Sequence, residues 1–71
     1  MRVSVEVLNI RSAPSTSAAI VDTATAGQIL ALDSGVEVFD GYWWRKINGR
    51  PEWVAWFHIS SGTYFMEEYS Q

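Results

Sequence analysis

The stretch GYWWRKINGRPEWV, residues 41–54, has the pattern of a β-hairpin. Its centre, Asn48-Gly49, is the dipeptide most typical of a two-residue type I′ turn, because both residues tolerate a positive φ. Aromatic and β-branched side chains, which favour strands, stand on both sides of this dipeptide. The stretch therefore predicts two antiparallel strands joined at Asn48-Gly49.

A two-residue loop at this point fixes which residues face each other across the hairpin. The predicted pairs are Ile47–Arg50, Lys46–Pro51, Arg45–Glu52, Trp44–Trp53 and Trp43–Val54. We expect Arg45–Glu52 to form an ion pair and Trp44–Trp53 an aromatic pair. Pro51 lacks an N–H, so this part of the hairpin is expected at a sheet edge. One predicted face carries Trp43, Arg45, Ile47, Glu52, Val54 and Trp56, and the other carries Tyr42, Trp44, Lys46, Trp53, Ala55 and Phe57.

The remainder of the chain reads as short strands separated by turns. The predicted strands are Met1–Val7, a continuation through Leu8 and Ile10, Ala19–Ala24, Gln28–Asp33, Val36–Phe39 and Tyr64–Tyr69. The apolar alternation slips by one residue at Val7–Leu8, which predicts a bulge or bend there. We expect Ile20 and Val21 to face inward. Loops or turns are predicted at Ser12–Ala18, Thr25–Gly27, Asp40-Gly41 and His58–Gly62. Residues 1–71 are thus predicted to form one all-β domain of five or six strands.

Length and charge narrow the possible functions. The chain has 71 residues, a net charge of -3, no cysteine and one histidine, His58. A domain of this size gives little support for a catalytic site, and Cys-based metal sites are impossible. Five Lys and Arg against eight Asp and Glu do not favour nucleic acid. No apolar run is long enough for a membrane span, and the start of the chain lacks the pattern of a signal peptide. We therefore expect no enzyme, no metal, no cofactor, no nucleic-acid partner and no membrane insertion.

Three segments resemble the bacterial SH3-like domain family, also called SH3b or SH3 type 3. They are LNIRSAPSTS at residues 8–17, TAGQ at residues 25–28, and the hairpin stretch at residues 41–54. The resemblance extends from Leu8 to about Phe57, and its first segment is the most specific. Ala13 and Glu52 stand where the family usually has glycine.

The resemblance implies a small, partly open SH3-like β-barrel of five to seven short strands. It also implies a non-catalytic domain of a larger protein, so that these residues would be a domain excised from it. Such domains occur in the bacterial cell envelope or outside the cell, where they bind peptidoglycan, other surface polymers or proteins. The acidic charge disfavours an anionic wall polymer.

The four tryptophans predict a binding surface. Each aromatic side chain buries about 150–250 Å², so a core this small cannot hide all of them. We predict that Tyr42, Trp44, Trp53 and Phe57 line an exposed ligand-binding groove, whereas Trp43, Ile47 and Val54 line the core.

Other polar residues are given structural roles. Arg11 is expected to bond loop carbonyls, and His58 to be a surface or hydrogen-bonded side chain. Ser12, Ser15 and Ser17 have no general base at a readable spacing. Glu67-Glu68 is read as a solvated strand end, because adjacent strand residues face opposite sides.

Two classes of function follow. The first is a binding or targeting module that recognises a cell-wall peptide, a glycan such as a peptidoglycan fragment, or a protein partner through the aromatic groove. The alternative is a structural module that packs against a neighbouring domain. The domain is expected to be a monomer, or a weak homodimer through the edge at Tyr64–Tyr69.

Overall fold

In a computed structural model that describes residues 1–68, the chain forms eight short β-strands and no helix. The strands are β1 (Arg2–Val3), β2 (Val7–Arg11), β3 (Ile20–Thr25), β4 (Glu37–Phe39), β5 (Tyr42–Lys46), β6 (Trp53–His58), β7 (Thr63–Tyr64) and β8 (Met66–Glu67). The prediction of a small all-β domain is confirmed. There are more strands than the five or six predicted, because several consist of only two residues.

All strand pairs are antiparallel and belong to two sheets. The larger sheet has the order β3-β2-β6-β5-β4, with β7 also paired to β6, and the smaller sheet pairs β1 with β8. Isolated bridges Arg2–Ile29 and Leu32–Ile47 connect the smaller sheet to the larger one. The chain is thereby curled into a small barrel-like structure.

The core lies where the two sheets and the segment between β3 and β4 meet. Its buried side chains are Val3, Leu8, Ile10, Ala24, Leu30, Ile47, Val54 and Met66. The predicted bend, at which the buried side chains change from odd to even positions, is confirmed. It lies at Val5-Glu6, however, and not at Val7–Leu8. The single strand predicted over Met1–Val7 is wrong, because Val3 belongs to the smaller sheet and Leu8 to the larger one. The bend carries the chain between these sheets.

Three other strand predictions need correction. Ile20 and Val21 are 53% and 52% exposed, and Ala24, opposite Leu8, is the buried residue of β3. Residues 28–33 make only isolated bridges rather than a strand. The predicted strand Tyr64–Tyr69 is divided into β7 and β8, and Tyr69 lies outside the described residues.

The two Asx-Gly turns differ from each other. Asp40 and Gly41 have φ values of 53° and 78°, and Phe39 pairs directly with Tyr42. Two positive φ values in a two-residue loop are the signature of a type I′ turn. At Asn48-Gly49, only Gly49 has a positive φ, as in a type II turn, so the predicted type I′ turn is wrong there.

Neighbouring backbone explains the difference at Asn48. The Asn48 N–H donates to the Ala31 carbonyl at 2.8 Å, and its side-chain amide donates to Asp33 Oδ1 at 2.7 Å. These bonds hold Asn48 outside the left-handed region. Beyond the turn, the Ile47 N–H donates to the Glu52 carbonyl at 2.9 Å. Ile47 thus pairs with Glu52 and not with Arg50, and the loop includes Arg50 and Pro51.

This longer loop shifts the β5–β6 register by two residues from the predicted one. Lys46 faces Trp53, Arg45 faces Val54 and Trp44 faces Ala55. The predicted pairs Arg45–Glu52 and Trp44–Trp53 are wrong: Glu52 forms its ion pair with Arg50. A shift of two residues preserves the face of each side chain, so the predicted faces remain correct up to Ala55.

Candidate ligand-binding surface

Three aromatic rings form a row across neighbouring strands of the larger sheet. Trp43 of β5 faces Phe57 of β6, and Phe57 faces Tyr64 of β7. The ring centroids are 4.6 Å apart for Trp43–Phe57 and 4.5 Å apart for Phe57–Tyr64, and both pairs are tilted. We call Trp43, Phe57 and Tyr64 the ring row.

A β-bulge brings these rings together. The register shifts between Trp43 and Trp44, so Trp56 is an extra residue on β6. Phe57 therefore lies on the face of Trp43, whereas strict alternation predicted it on the face of Trp44. Trp56 contacts the Trp43 and Tyr64 rings at centroid distances of 5.8 and 5.4 Å.

The ring row continues the core face of the sheet to a place where the barrel is open. Trp43 shares its face with Arg45 and Val54, and Val54 is buried in the core. Trp43 and Phe57 are nevertheless only half-buried, and Tyr64 is 51% exposed. The Arg45 guanidinium lies 5.1 Å from the centroid of the Trp56 ring, within cation–π range, beside the row. The row therefore presents an apolar, aromatic surface bordered by a cation.

The other face of β5 carries a second aromatic cluster. Tyr42 contacts Trp44, His58 and Phe65 at centroid distances of 5.8, 4.8 and 6.0 Å. Trp44 is only 1% exposed, and its indole N–H donates to the Phe39 carbonyl at 2.8 Å. The prediction that Trp44 is exposed is wrong, and so is the prediction that Trp43 lies in the core. The prediction for Ile47 and Val54 is confirmed.

A shallow depression of about 200 Å³ lies over this cluster. Its walls include Val5, Val7, Arg11, Tyr42 and Trp44. The Arg11 guanidinium donates to the carbonyls of Thr16 and Ala18, both at 3.0 Å, which confirms its predicted role in the loop. Both bonds come from one guanidinium nitrogen and hold the Arg11 side chain against the loop in the wall of the depression.

Asp40 fastens the residue 12–18 loop to the β4–β5 turn. One carboxylate oxygen accepts hydrogen bonds from the Thr16 hydroxyl, the Thr16 N–H and the Ser15 hydroxyl, at 2.9, 3.1 and 3.1 Å. The bonds from Thr16, above all, hold the pKa of Asp40 below its ordinary value. Ser15 thus helps to join the loop to the β4–β5 turn.

The four predicted site residues do not form one groove. Tyr42 and Trp44 belong to the second cluster, whereas Phe57 belongs to the ring row. Trp53 is half-buried and lies opposite Arg11 and Lys46; it shares the face of Trp44 but makes no ring contact with either aromatic group within residues 1–68. The prediction missed Trp43 and Tyr64, which strand alternation could not place with Phe57 because the bulge has no clear sequence signal.

Two of the polar residues discussed above, His58 and Glu67, have side-chain partners. His58 is hydrogen-bonded as predicted, with Nδ1 2.6 Å from the Ser61 hydroxyl and Nε2 3.2 Å from that of Ser60. Glu67 pairs with Arg2. Residues 1–68 contain no cluster of three or more His, Asp or Glu side chains suited to a metal ion. That same part of the chain has no helix of the length and hydropathy needed to span a membrane.

Comparison with protein-family models, curated proteins and solved structures gave no match. The resemblance to bacterial SH3-like domains therefore stays a prediction.

Proposed function

We propose that this chain is a non-catalytic binding module whose ligand stacks on the ring row. The observation that supports this proposal is the alignment of Trp43, Phe57 and Tyr64 across three strands with their rings in contact and partly exposed. Contiguous apolar surface that a small protein leaves uncovered is typical of an interaction site. Aromatic rings are also the side chains most enriched at binding hot spots.

The shape of the row favours an elongated ligand. Two inter-strand spacings of about 4.8 Å give the row a length of about 10 Å. That length suits two or three sugar units or a short proline-rich peptide, whose apolar faces stack on aromatic rings. The Arg45 side chain beside Trp56 offers donors to a ligand carbonyl or hydroxyl. A cell-wall peptide, a peptidoglycan fragment or a segment of a protein partner fits these features.

The experiment is a titration followed by NMR. A soluble peptidoglycan fragment and a proline-rich peptide are added separately to the labelled chain, and the indole signals of Trp43 and Trp44 are compared. We expect one of the two ligands to shift the Trp43 signal and to leave the buried Trp44 signal nearly unchanged.

Two variants make the test specific. Tyr64→Ala removes an exposed ring of the row, and Ile59→Ala removes an apolar side chain that is 43% exposed but outside the row. We expect Tyr64→Ala to weaken binding on the order of tenfold and Ile59→Ala to leave it unchanged. Equal affinities of the two variants, or an unmoved Trp43 signal with both ligands, would contradict the proposal.

The alternative is a structural module that packs on a neighbouring domain. Two further exposed apolar side chains favour it: Ile20 and Val21, at the start of β3, are 53% and 52% exposed. This alternative predicts that neither ligand binds the isolated chain.

A further inference from the structure

Strand β4 is the open end of the larger sheet. It pairs only with β5 among the described residues, and each of its residues, Glu37, Val38 and Phe39, is exposed. Val38 and Phe39 are 64% and 55% exposed, and Val36, just before the strand, is 43% exposed. The edge is therefore apolar as well as accessible.

The hairpin register leaves the Val38 backbone unpaired. Phe39 and Tyr42 flank the two-residue turn, so they form the hydrogen-bonded pair next to it. Hydrogen-bonded and non-hydrogen-bonded pairs alternate along an antiparallel ladder, which places the N–H and C=O of Val38 away from β5. Within residues 1–68, no loop supplies a backbone hydrogen bond to Val38. One donor and one acceptor thus point outward from the middle of β4.

The short β4 edge lacks three of the features that usually prevent strand pairing. Exposed edges are commonly protected by lysine, proline or a bulge. β4 contains no lysine or proline, and its register with β5 is regular over all three pairs. At the opposite edge of the sheet, the pairing of β3 with β2 is interrupted by a register shift at Ile10/Arg11.

The charges around β4 specify the kind of partner. Residues 33–44 contain three acidic side chains, Asp33, Glu37 and Asp40, and no lysine or arginine. Neither of the ion pairs found in the described part of the chain involves Glu37. A partner strand with basic side chains would complement this charge.

We propose that the free edge of β4 binds an extended, basic segment of a partner polypeptide, which adds to the sheet as a further antiparallel strand. The Val38 backbone anchors the segment, its apolar side chains pack beside Val36 and Val38, and its basic side chains lie near Glu37 and Asp40. This edge site goes beyond the proposed function, because it uses backbone pairing rather than the faces of the rings.

The test uses a capped seven-residue peptide that alternates valine and lysine. We expect its addition to shift the Val38 amide signal and to slow hydrogen exchange at that amide, with smaller effects at Tyr64. Two control peptides separate the contributions: one has N-methylated alternate amides and cannot pair, and the other has glutamate in place of lysine. Both are expected to bind on the order of tenfold more weakly or worse.

Variants of the protein give an independent test. Val38→Pro removes the outward N–H, a change that an edge strand tolerates at this position, and Val38→Thr keeps both the N–H and the shape. We expect Val38→Pro to weaken peptide binding on the order of tenfold relative to Val38→Thr. Tyr64→Ala should leave this binding unchanged, which distinguishes the edge from the ring row.

Three results would overturn the edge site. One is equal binding of the N-methylated and unmodified peptides, which also decides the matter if Val38→Pro does not fold. The second is equal binding by Val38→Pro and Val38→Thr. The third is a homodimer in sedimentation equilibrium that Val38→Pro dissociates, without any binding of the peptide, since a second copy would then be the partner.

Discussion

Trp43 and Trp44 are adjacent residues of the same type with opposite surroundings. Trp44 is 1% exposed, and its indole N–H is bonded to the Phe39 carbonyl. Trp43 is half-buried, and its ring contacts that of Phe57 in the ring row. Because successive strand residues face opposite sides, the comparison is between the two faces of β5. The residue type therefore does not determine the burial of either tryptophan. Burial depends on which segments pack against each face of β5.

The difference shows how this small domain divides its tryptophans. Val5, Val7, Thr16 and Phe65 line the depression over the face of Trp44, and the Trp44 side chain itself is buried. The face of Trp43 continues the core, but beyond Val54 its aromatic side chains are only partly buried. Trp44 therefore contributes to stability, and we expect Trp43 to contribute to ligand binding.

Replacing Trp43 and Trp44 separately by alanine should give the largest difference in stability between two variants. Truncation of a buried Trp costs about 3–5 kcal/mol, and a domain below about 70–80 residues rarely has more than 3–5 kcal/mol of stability. We therefore expect Trp44→Ala to be largely unfolded at 25 °C by circular dichroism. Trp43→Ala is expected to remain folded and to lose the ring-row ligand.

A third variant separates the ring of Trp44 from its hydrogen bond. Trp44→Phe keeps an aromatic side chain but loses the bond to Phe39, about 0.5–1.5 kcal/mol, and part of the buried ring. We expect it to be less stable than the unchanged chain but more stable than Trp44→Ala in chemical denaturation. If Trp43→Ala were the less stable of the two alanine variants, the assignment of the two faces would be wrong.

The type I′ turn at Asp40-Gly41 sets the register between β4 and β5, the strand that carries Trp43 and Trp44. A substitution in this turn is expected to lower stability less than Trp44→Ala. Gly41 has a φ of 78°, and a Cβ there would meet no atom within 4 Å. The cost of Gly41→Ala is therefore backbone strain alone, about 1–2 kcal/mol in the free energy of unfolding.

Gly35 provides the matched control for this turn. It also has open space around its Cα but no positive φ. We expect Gly35→Ala to be neutral or stabilising by about 0.4–1 kcal/mol, because alanine reduces the entropy of the unfolded chain. Equal stability of Gly41→Ala and the unchanged chain in urea would contradict the positive-φ turn.

Protonation of Asp40 is expected to change stability least, and to affect the surroundings of Trp44 more than those of Trp43. Hydrogen bonds from Thr16 lower the pKa of Asp40 in the folded chain, so the bonded carboxylate stabilises the fold at neutral pH. This stabilisation is lost as the pH falls through the lowered pKa, because the carboxyl becomes protonated. Thr16 lies on the depression over Trp44, so the Trp44 indole signal should move with this titration more than the Trp43 signal.

The Asp40→Asn variant is the control, since Asn also tolerates the positive φ at this position. The difference in thermal midpoint between the unchanged chain and this variant should be largest near neutral pH and shrink in acid. A difference that does not vary with pH would show that the carboxylate charge does not hold the loop.

Local signals predicted several parts of the molecule well. The alternation around Leu8 and Ile10 identified buried positions of β2, and the loop after it contains the acceptors of Arg11 as expected. Asp40-Gly41 was also correctly predicted as a turn. The candidate site was predicted only in part: Phe57 belongs to the ring row, Tyr42 and Trp44 lie on the other face, and Trp53 lies apart from both.

The amino-acid sequence by itself determined that this protein is a small all-β domain, because β-branched and aromatic alternation with frequent turn residues permits little else. Only the tertiary structure decided the type of turn at Asn48, since Ala31 and Asp33, distant in sequence, hold its backbone and side chain. Only the tertiary structure placed the bulge at Trp56, which moves Phe57 to the face of Trp43. Strand alternation depends on neighbouring residues in the sequence, whereas the burial of a side chain depends on which distant segment packs against its face of the sheet.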